Sequence, residues 1–134
     1  MEKIKDVFSK NDKFASHAGI ELLEVAPGYA KIKMEIKDYH FNGVKTVHGG
    51  AIFTLADFAF AVASNSHGRI AVGINASISY VKAATAGALY AEAREAALNH
   101  KLGTYIVEIK DDEGDLIAVF QGTVYRKKDL LIPE

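Results

Sequence analysis

One carboxylate stands in the most apolar stretch of the chain. From Ala51 to Ala63 every residue is apolar except Thr54 and Asp57. The stretch opens on His48-Gly49-Gly50 and ends near Asn65-Ser66-His67-Gly68. A helix that is apolar all round is expected to be buried, and an unpaired acid inside it is costly unless something uses it. Seven residues make nearly two turns, so Asp57 shares a helix face with Gly50. A carboxylate there can attack a carbonyl or take a proton from water; the alternative is a buried acid paired with Asn, Ser or His for packing. Gly49 and Gly50 leave free N–H groups at the positive end of the helix dipole, where a polarised carbonyl or oxyanion can be held. Glycine also lets a ligand approach the backbone closely. The alternative there is a tight turn that holds nothing. His48 adjoins them, although lone histidines are more often structural. Asn42 offers two donors and an acceptor, or is simply a turn residue before Gly43.

These residues need elements to hold them. The chain has 134 residues, enough for one domain with a real core, and residues 1–134 are read as a single domain without linker or repeat. Glu2 to Ser9 predicts a short helix with Ile4, Val7 and Phe8 on one face. Asp12 predicts an N-cap for a second short helix that Gly19 ends. The period then becomes two: Ala30, Ile32, Met34 and Ile36 alternate with Lys31, Lys33, Glu35 and Lys37, a strand with one wet face. Pro27-Gly28 forms its turn with Glu21–Ala26. A loop from Asp38 to Val47 leads to a central helix over about Gly49–Ser66. Four more strands follow, around Ile70–Tyr80, Ala88–Leu98, Tyr105–Ile109 and Leu116–Val124, with turns at Asn99–Gly103 and Asp111–Asp115. Such short connections predict antiparallel pairing. The fold class is α+β, a long antiparallel sheet curled around one apolar helix and burying it on all sides.

Composition removes several chemistries. There is no Cys, so disulfides, thiolate nucleophiles and Cys-bound zinc are excluded. The net charge of −1 gives no basic excess that would suggest nucleic acid as a partner. His17, His40, His67 and His100 are scattered without metal-ligand spacing, and no metal is expected. No P-loop ending follows the glycines, and no nucleophile elbow surrounds Ser64 or Ser66. The polar start Met1–Asp6 does not resemble a signal peptide, and the apolar run is too short to span a bilayer at about 20 residues. No membrane partner is expected, and the expected location is the cytoplasm. Phe53, Phe58 and Phe60 read mainly as core, with one or two facing a ligand pocket.

The run Asn42-Gly43…Val47-His48-Gly49-Gly50-Ala51-Ile52-Phe53-Thr54-Leu55-Ala56-Asp57 resembles the hotdog-fold acyl-CoA thioesterases, nearest the PaaI-type subgroup of phenylacetate degradation. Asn65-Ser66-His67-Gly68 and Ala93-Arg94-Glu95 also look like that subgroup, and the match extends over about Asn11 to Lys127. Lys45, where the family often has glycine, and Ala83, where it often has proline, depart from the pattern near the expected ligand edge. The resemblance implies a hotdog fold and hydrolysis of an aryl-, phenylacetyl- or medium-chain acyl-CoA to the acid and CoA. It assigns Asp57 as nucleophile or general base, the Gly49 N–H as oxyanion donor, and Asn42 and His48 as positioning groups. Gly50, Gly73, Tyr80, Val81, Lys82, Lys101 and Lys127 fall on its ligand edge. CoA enters as part of the substrate, with no separate cofactor. The family's dimers pair into tetramers, and in this subgroup the acid faces the glycine end of the partner's helix. The competing readings are a hotdog dehydratase of 3-hydroxyacyl thioesters and a non-catalytic acyl-CoA-binding module.

Overall fold

Asp12 ends one helix and begins the next. Its carboxylate accepts the Ala15 N–H at 3.0 Å, capping α2 (Lys13–His17) directly after α1 (Glu2–Asn11). Gly19, at φ +78°, then turns the chain into strand. The computed structural model describes residues 1–133. After α2 come β1 (Ile20–Ala26), β2 (Tyr29–Glu35), a 3-10 turn (Asp38–His40), α3 (Gly49–Asn65), β3 (Arg69–Tyr80), β4 (Ala88–Leu98), β5 (Leu102–Lys110) and β6 (Leu116–Leu130). Among the described residues no helix is long and apolar enough to cross a membrane.

The strands form one sheet in the order β1-β2-β4-β5-β6-β3, every neighbouring pair antiparallel. On β2, Ala30, Ile32 and Met34 are fully buried, while the lysines between them reach the surface. Helix α3 touches all six strands. A flat six-stranded sheet would be about 24 Å across, roughly twice a helix diameter, so the sheet curls around the helix.

Short connections pair β1 with β2, β4 with β5 and β5 with β6, whereas β3 does not pair with β4. The segment after Tyr80 runs past the start of α3, where the Val47 N–H donates to the Ala84 carbonyl at 2.9 Å. It delivers β4 beside β2, and β3 is left at the far edge beside β6. The expectation that α3 is buried on all sides needs correction. Ile52, Leu55, Ala56, Phe58, Ala59 and Phe60 face the core, but Gly50 and Asp57 are exposed and Thr54 and Ala61 only half covered. Their spacing of four, three and four residues makes them one open face.

Phe60 fixes how closely α3 approaches the sheet. A Cβ on Gly122 would stand 2.7 Å from its ring, and one on Gly73 would stand 3.2 Å away. The rings of Tyr105 and Phe120 flank Phe60 at 6.0 and 5.4 Å, so it has no room to yield. Gly122→Ala is therefore expected to destabilise the fold by about 1–3 kcal/mol through overpacking, read as a lower midpoint in urea with an unchanged slope.

Candidate active site at the start of the central helix

His48 is the N-cap of α3. Its Nδ1 accepts the Gly50 N–H at 2.8 Å, so the neutral ring carries its proton on Nε2. The Ala51 and Ile52 N–H groups bond the His48 carbonyl. The Gly49 N–H meets no acceptor among the described residues. The first turn thus leaves one donor open, at the end where the helix dipole favours negative charge. Tyr80 crosses from the sheet edge and donates its hydroxyl to the Gly49 carbonyl at 3.0 Å.

Two hollows flank this turn. One, about 410 Å³, is lined by Thr46, Val47, Gly49, Ile52 and Tyr80 to Ala84. The other, about 450 Å³, lies against Gly50, Ala51 and Thr54 under Phe14, His17 and Tyr39. The first contains Tyr80, Val81 and Lys82, three residues the sequence selected. Lys82 is already engaged: it bonds Asp115 at 2.6 Å and Asp111 at 3.4 Å, and the Asp115 contact holds its amine above the ordinary lysine range.

Asn42 shapes the loop that precedes the helix. Its Oδ1 accepts the Val44 and Thr46 N–H groups at 2.9 and 3.1 Å, and its Nδ2 donates to the Thr46 hydroxyl at 2.9 Å. One amide hydrogen remains for another partner. The loop also holds Lys45 at φ +66°, the position where the sequence departs from the glycine of the resembling family.

Asp57 shares the open face with Gly50, about 10 Å farther along the axis. No hydrogen bond from the described residues contributes to its state. Its carboxyl sits above the usual carboxylate range, first because apolar neighbours desolvate it and second because of the charge on Asp12.

Other expected residues lie elsewhere. Gly73 packs under Phe60, seven residues along β3 from Tyr80. Lys101 and Lys127 are at the opposite end of the sheet: their carbonyls accept the Arg126 N–H and the Arg69 guanidinium, beside the start of β3. Within one chain they do not reach the helix start, because strand order along the sequence does not reveal which end of the sheet a turn occupies. Phe58 and Phe60 are core, and Phe53 is half-buried against Phe120, so none forms the flanking hollow. His67, Glu95 and Tyr105 form a bonded cluster at the other end of α3, with Glu95 Oε1 2.7 Å from the imidazole and 2.9 Å from the phenol.

Sequence reasoning missed the brace that His40 supplies to the loop before α3. His40 is buried, its Nδ1 accepting the Lys37 N–H at 2.9 Å and its Nε2 donating to the Ala18 carbonyl at 2.7 Å. The His48 N–H donates to the His40 carbonyl at 2.7 Å, which joins this brace to the cap of α3. No periodicity marks it, because it sits in a loop.

The family model described as "Thioesterase superfamily" matches residues 44–118. The chain is 49% identical to a putative esterase of Archaeoglobus fulgidus, over 94% of this chain and 82% of that protein. It is 34% identical to the acyl-coenzyme A thioesterase PaaI of Escherichia coli, over 87% and 84% of the two chains. The solved structure of the E. coli PaaI protein superposes with a TM-score of 0.93 at 31% identity, covering 96% of this chain and 94% of that one. The curled sheet around an apolar helix is thus the hotdog arrangement, and the chain belongs to the thioesterase superfamily and is a thioester hydrolase.

Proposed function

We propose that the chain hydrolyses acyl-CoA thioesters to a free acid and CoA, using a site shared between two copies. The observation that carries this reading is the unpartnered Gly49 N–H between two hollows. A thioester oxygen seated there would gain negative charge as the carbonyl is attacked, and the fixed donor would stabilise it. Asp57 supplies the attack, either directly through its carboxylate or by taking a proton from water. In the direct route the Asp57 carboxylate displaces the CoA sulfur to give a mixed anhydride that water then hydrolyses, and in the other route water itself displaces the sulfur; in both the C–S bond breaks, the CoA thiolate takes a proton, and one water is consumed per acid released. His48 holds the first turn in shape through its cap, and Asn42 holds the loop while keeping one hydrogen for the ligand.

One chain cannot bring these groups together. Asp57 is about 10 Å down the axis from Gly50, and an aspartate side chain spans only a few ångströms. The free edge of the sheet suggests what completes the site. β3 runs 12 residues with one side unpaired and carries exposed Val72, Ile74 and Tyr80. Such an edge invites another strand. Two-fold antiparallel pairing of β3 with its copy would lay the two helices side by side in opposite directions. Each Asp57 would approach the other helix start. Lys101 and Lys127, near the Arg69 end, would come toward the other copy's Tyr80–Lys82 hollow, where the CoA phosphates could use them.

The test is a panel of acetyl-, hexanoyl-, benzoyl- and phenylacetyl-CoA with a thiol reagent. Release of free thiol from at least one is the expected result, and no release from any would overturn the reading. A dehydratase would consume a 3-hydroxyacyl-CoA without liberating thiol, and a binding module would do neither.

Turnover is expected to fall on acidification, because only the ionised Asp57 can attack or accept a proton. Its raised pKa puts that fall at a higher pH than an ordinary carboxylate would give. Asp12→Asn keeps an N-cap for α2 but removes a charge that raises the Asp57 pKa. The acid limb of the kcat profile should therefore move to lower pH in this variant; an unmoved limb would show that Asp12 does not tune the acid.

A further inference from the structure

Lys45 is held in a conformation that a lysine disfavours. Its φ of +66° lies in the left-handed region, where a Cβ crowds the backbone. The turn needs only the backbone there. The Lys45 N–H donates to the Asn42 carbonyl at 3.4 Å, and the loop's side-chain bonds run between Asn42, Val44 and Thr46. Glycine would close the same turn without strain. The lysine side chain is exposed, and among the described residues its amine makes no ion pair. A strained residue whose side chain does nothing for its own turn points to a use outside the chain.

Lys45 directly precedes Thr46 and Val47, which line the hollow that also holds Gly49 and Tyr80 to Ala84. The lysine already on that hollow is spent. Lys82 lies between Asp115 at 2.6 Å and Asp111 at 3.4 Å. One positive and two negative charges leave that side net negative, which repels an anion. We infer that Lys45 holds the diphosphate of CoA at the mouth of its own chain's hollow, a reading that rests on the acyl-CoA function and adds which cation of this chain recognises the nucleotide end. The lengths agree. Val47 is in an extended bridge with Phe41, and His48 is extended at φ −58° and ψ 134°. Four such residues carry the chain about 13 Å from Lys45 to Gly49, and an extended lysine stem adds about 6 Å. The extended pantetheine arm puts about 16 Å between the CoA sulfur and its first phosphate, within that reach when the thioester sits on the Gly49 N–H. A compact charge on a flexible stem suits a phosphate group.

The experiment places the acyl group that releases most thiol on three carriers: CoA, CoA without its 3′-phosphate, and pantetheine, which has no phosphate. It reads kcat/KM for each with the wild type, Lys45→Gly, Lys45→Gln and Lys45→Arg, and melting temperature checks that every variant folds. Glycine and glutamine are each expected to lower the CoA-to-pantetheine ratio at least about threefold, the size of one solvent-accessible ion pair. The dephospho-CoA-to-pantetheine ratio should fall equally, because that ester keeps the diphosphate. Arginine keeps the charge and should hold both ratios near wild type. Ratios held within about twofold in both neutral variants would overturn the assignment. So would equal losses on all three carriers, because the loop would then act by placing the helix start. A fall confined to the ester with the 3′-phosphate would overturn the diphosphate placement. A wild-type chain that turns over none of the esters would fail the thioesterase reading separately; calorimetric Kd values for CoA, dephospho-CoA and pantetheine then decide the role of Lys45, with the same threefold expectation.

Discussion

Asp57→Ala is expected to lower turnover of the preferred acyl-CoA at least about 100-fold, the low end for a positioned acid–base group, while the melting temperature holds or rises. The reasons for the two halves differ. The carboxylate is the one acid on the open helix face, so no neighbour can take over its step. Its effect on stability follows from the sign of its pKa shift. Asp57 is shifted above the ordinary value in the folded chain, so the folded state prefers it protonated. Its favourable contribution is complete below the unfolded pKa and is lost as pH rises through the folded one. At neutral pH the ionised group therefore subtracts stability, and removing it returns that amount. The gain is small because water still reaches the group in a single chain; burial by a second copy would enlarge it. Calorimetric melting with steady-state kinetics reads both halves. A variant with near wild-type turnover and a clearly lower melting temperature would make Asp57 a structural residue instead.

What the sequence makes legible here is what local pattern controls. The central helix is expected over Gly49–Ser66 and runs Gly49–Asn65 because glycine and histidine mark its start and the apolar run its body. The Asp12 cap, the Gly28 turn and the alternation of β2 are equally local. The place of β3 is not legible, because Val81–Gly87 is short enough to make a hairpin yet passes the helix instead. The expectation that α3 is buried on all sides goes wrong in an instructive way. Composition reports that Ala51, Phe53 and Ala61 are apolar, but not what covers them, and an apolar residue on an open face reads the same as one in the core. The lysines show the complementary failure. Lys82 is beside the helix start but paired with the acidic turn, whereas Lys101 and Lys127 stand a strand's length away. Sequence order carries neither fact.

Gly49→Pro should be nearly as damaging as loss of Asp57, and it isolates a single hydrogen. Gly49 is the first residue of α3, where proline is tolerated because its N–H has no partner within the helix. The residue before a proline must be extended, and His48 already is, at φ −58° and ψ 134°. The substitution therefore removes the open N–H and leaves the helix. Loss of one oxyanion donor costs about 100- to 1,000-fold in kcat. Gly49→Ala is the control, since it presents its Cβ to the Tyr80 ring, 3.3 Å away, yet keeps the N–H. A proline variant no slower than the alanine one would remove this amide from the mechanism. The two damaged chains then test where the site lies. If Asp57 of one copy serves the Gly49 end of the other, a mixed dimer of Asp57→Ala and Gly49→Pro has one site with both lesions and one with neither. Unfolding, mixing and refolding yields about half mixed dimers, each with one good site, so recovery is limited to about a quarter of wild-type activity. Recovery toward that limit from two inactive parents is the expected result. No recovery after verified exchange of subunits would put both groups in one chain's site, and the 10 Å of helix between them would then have to be closed by movement within that chain.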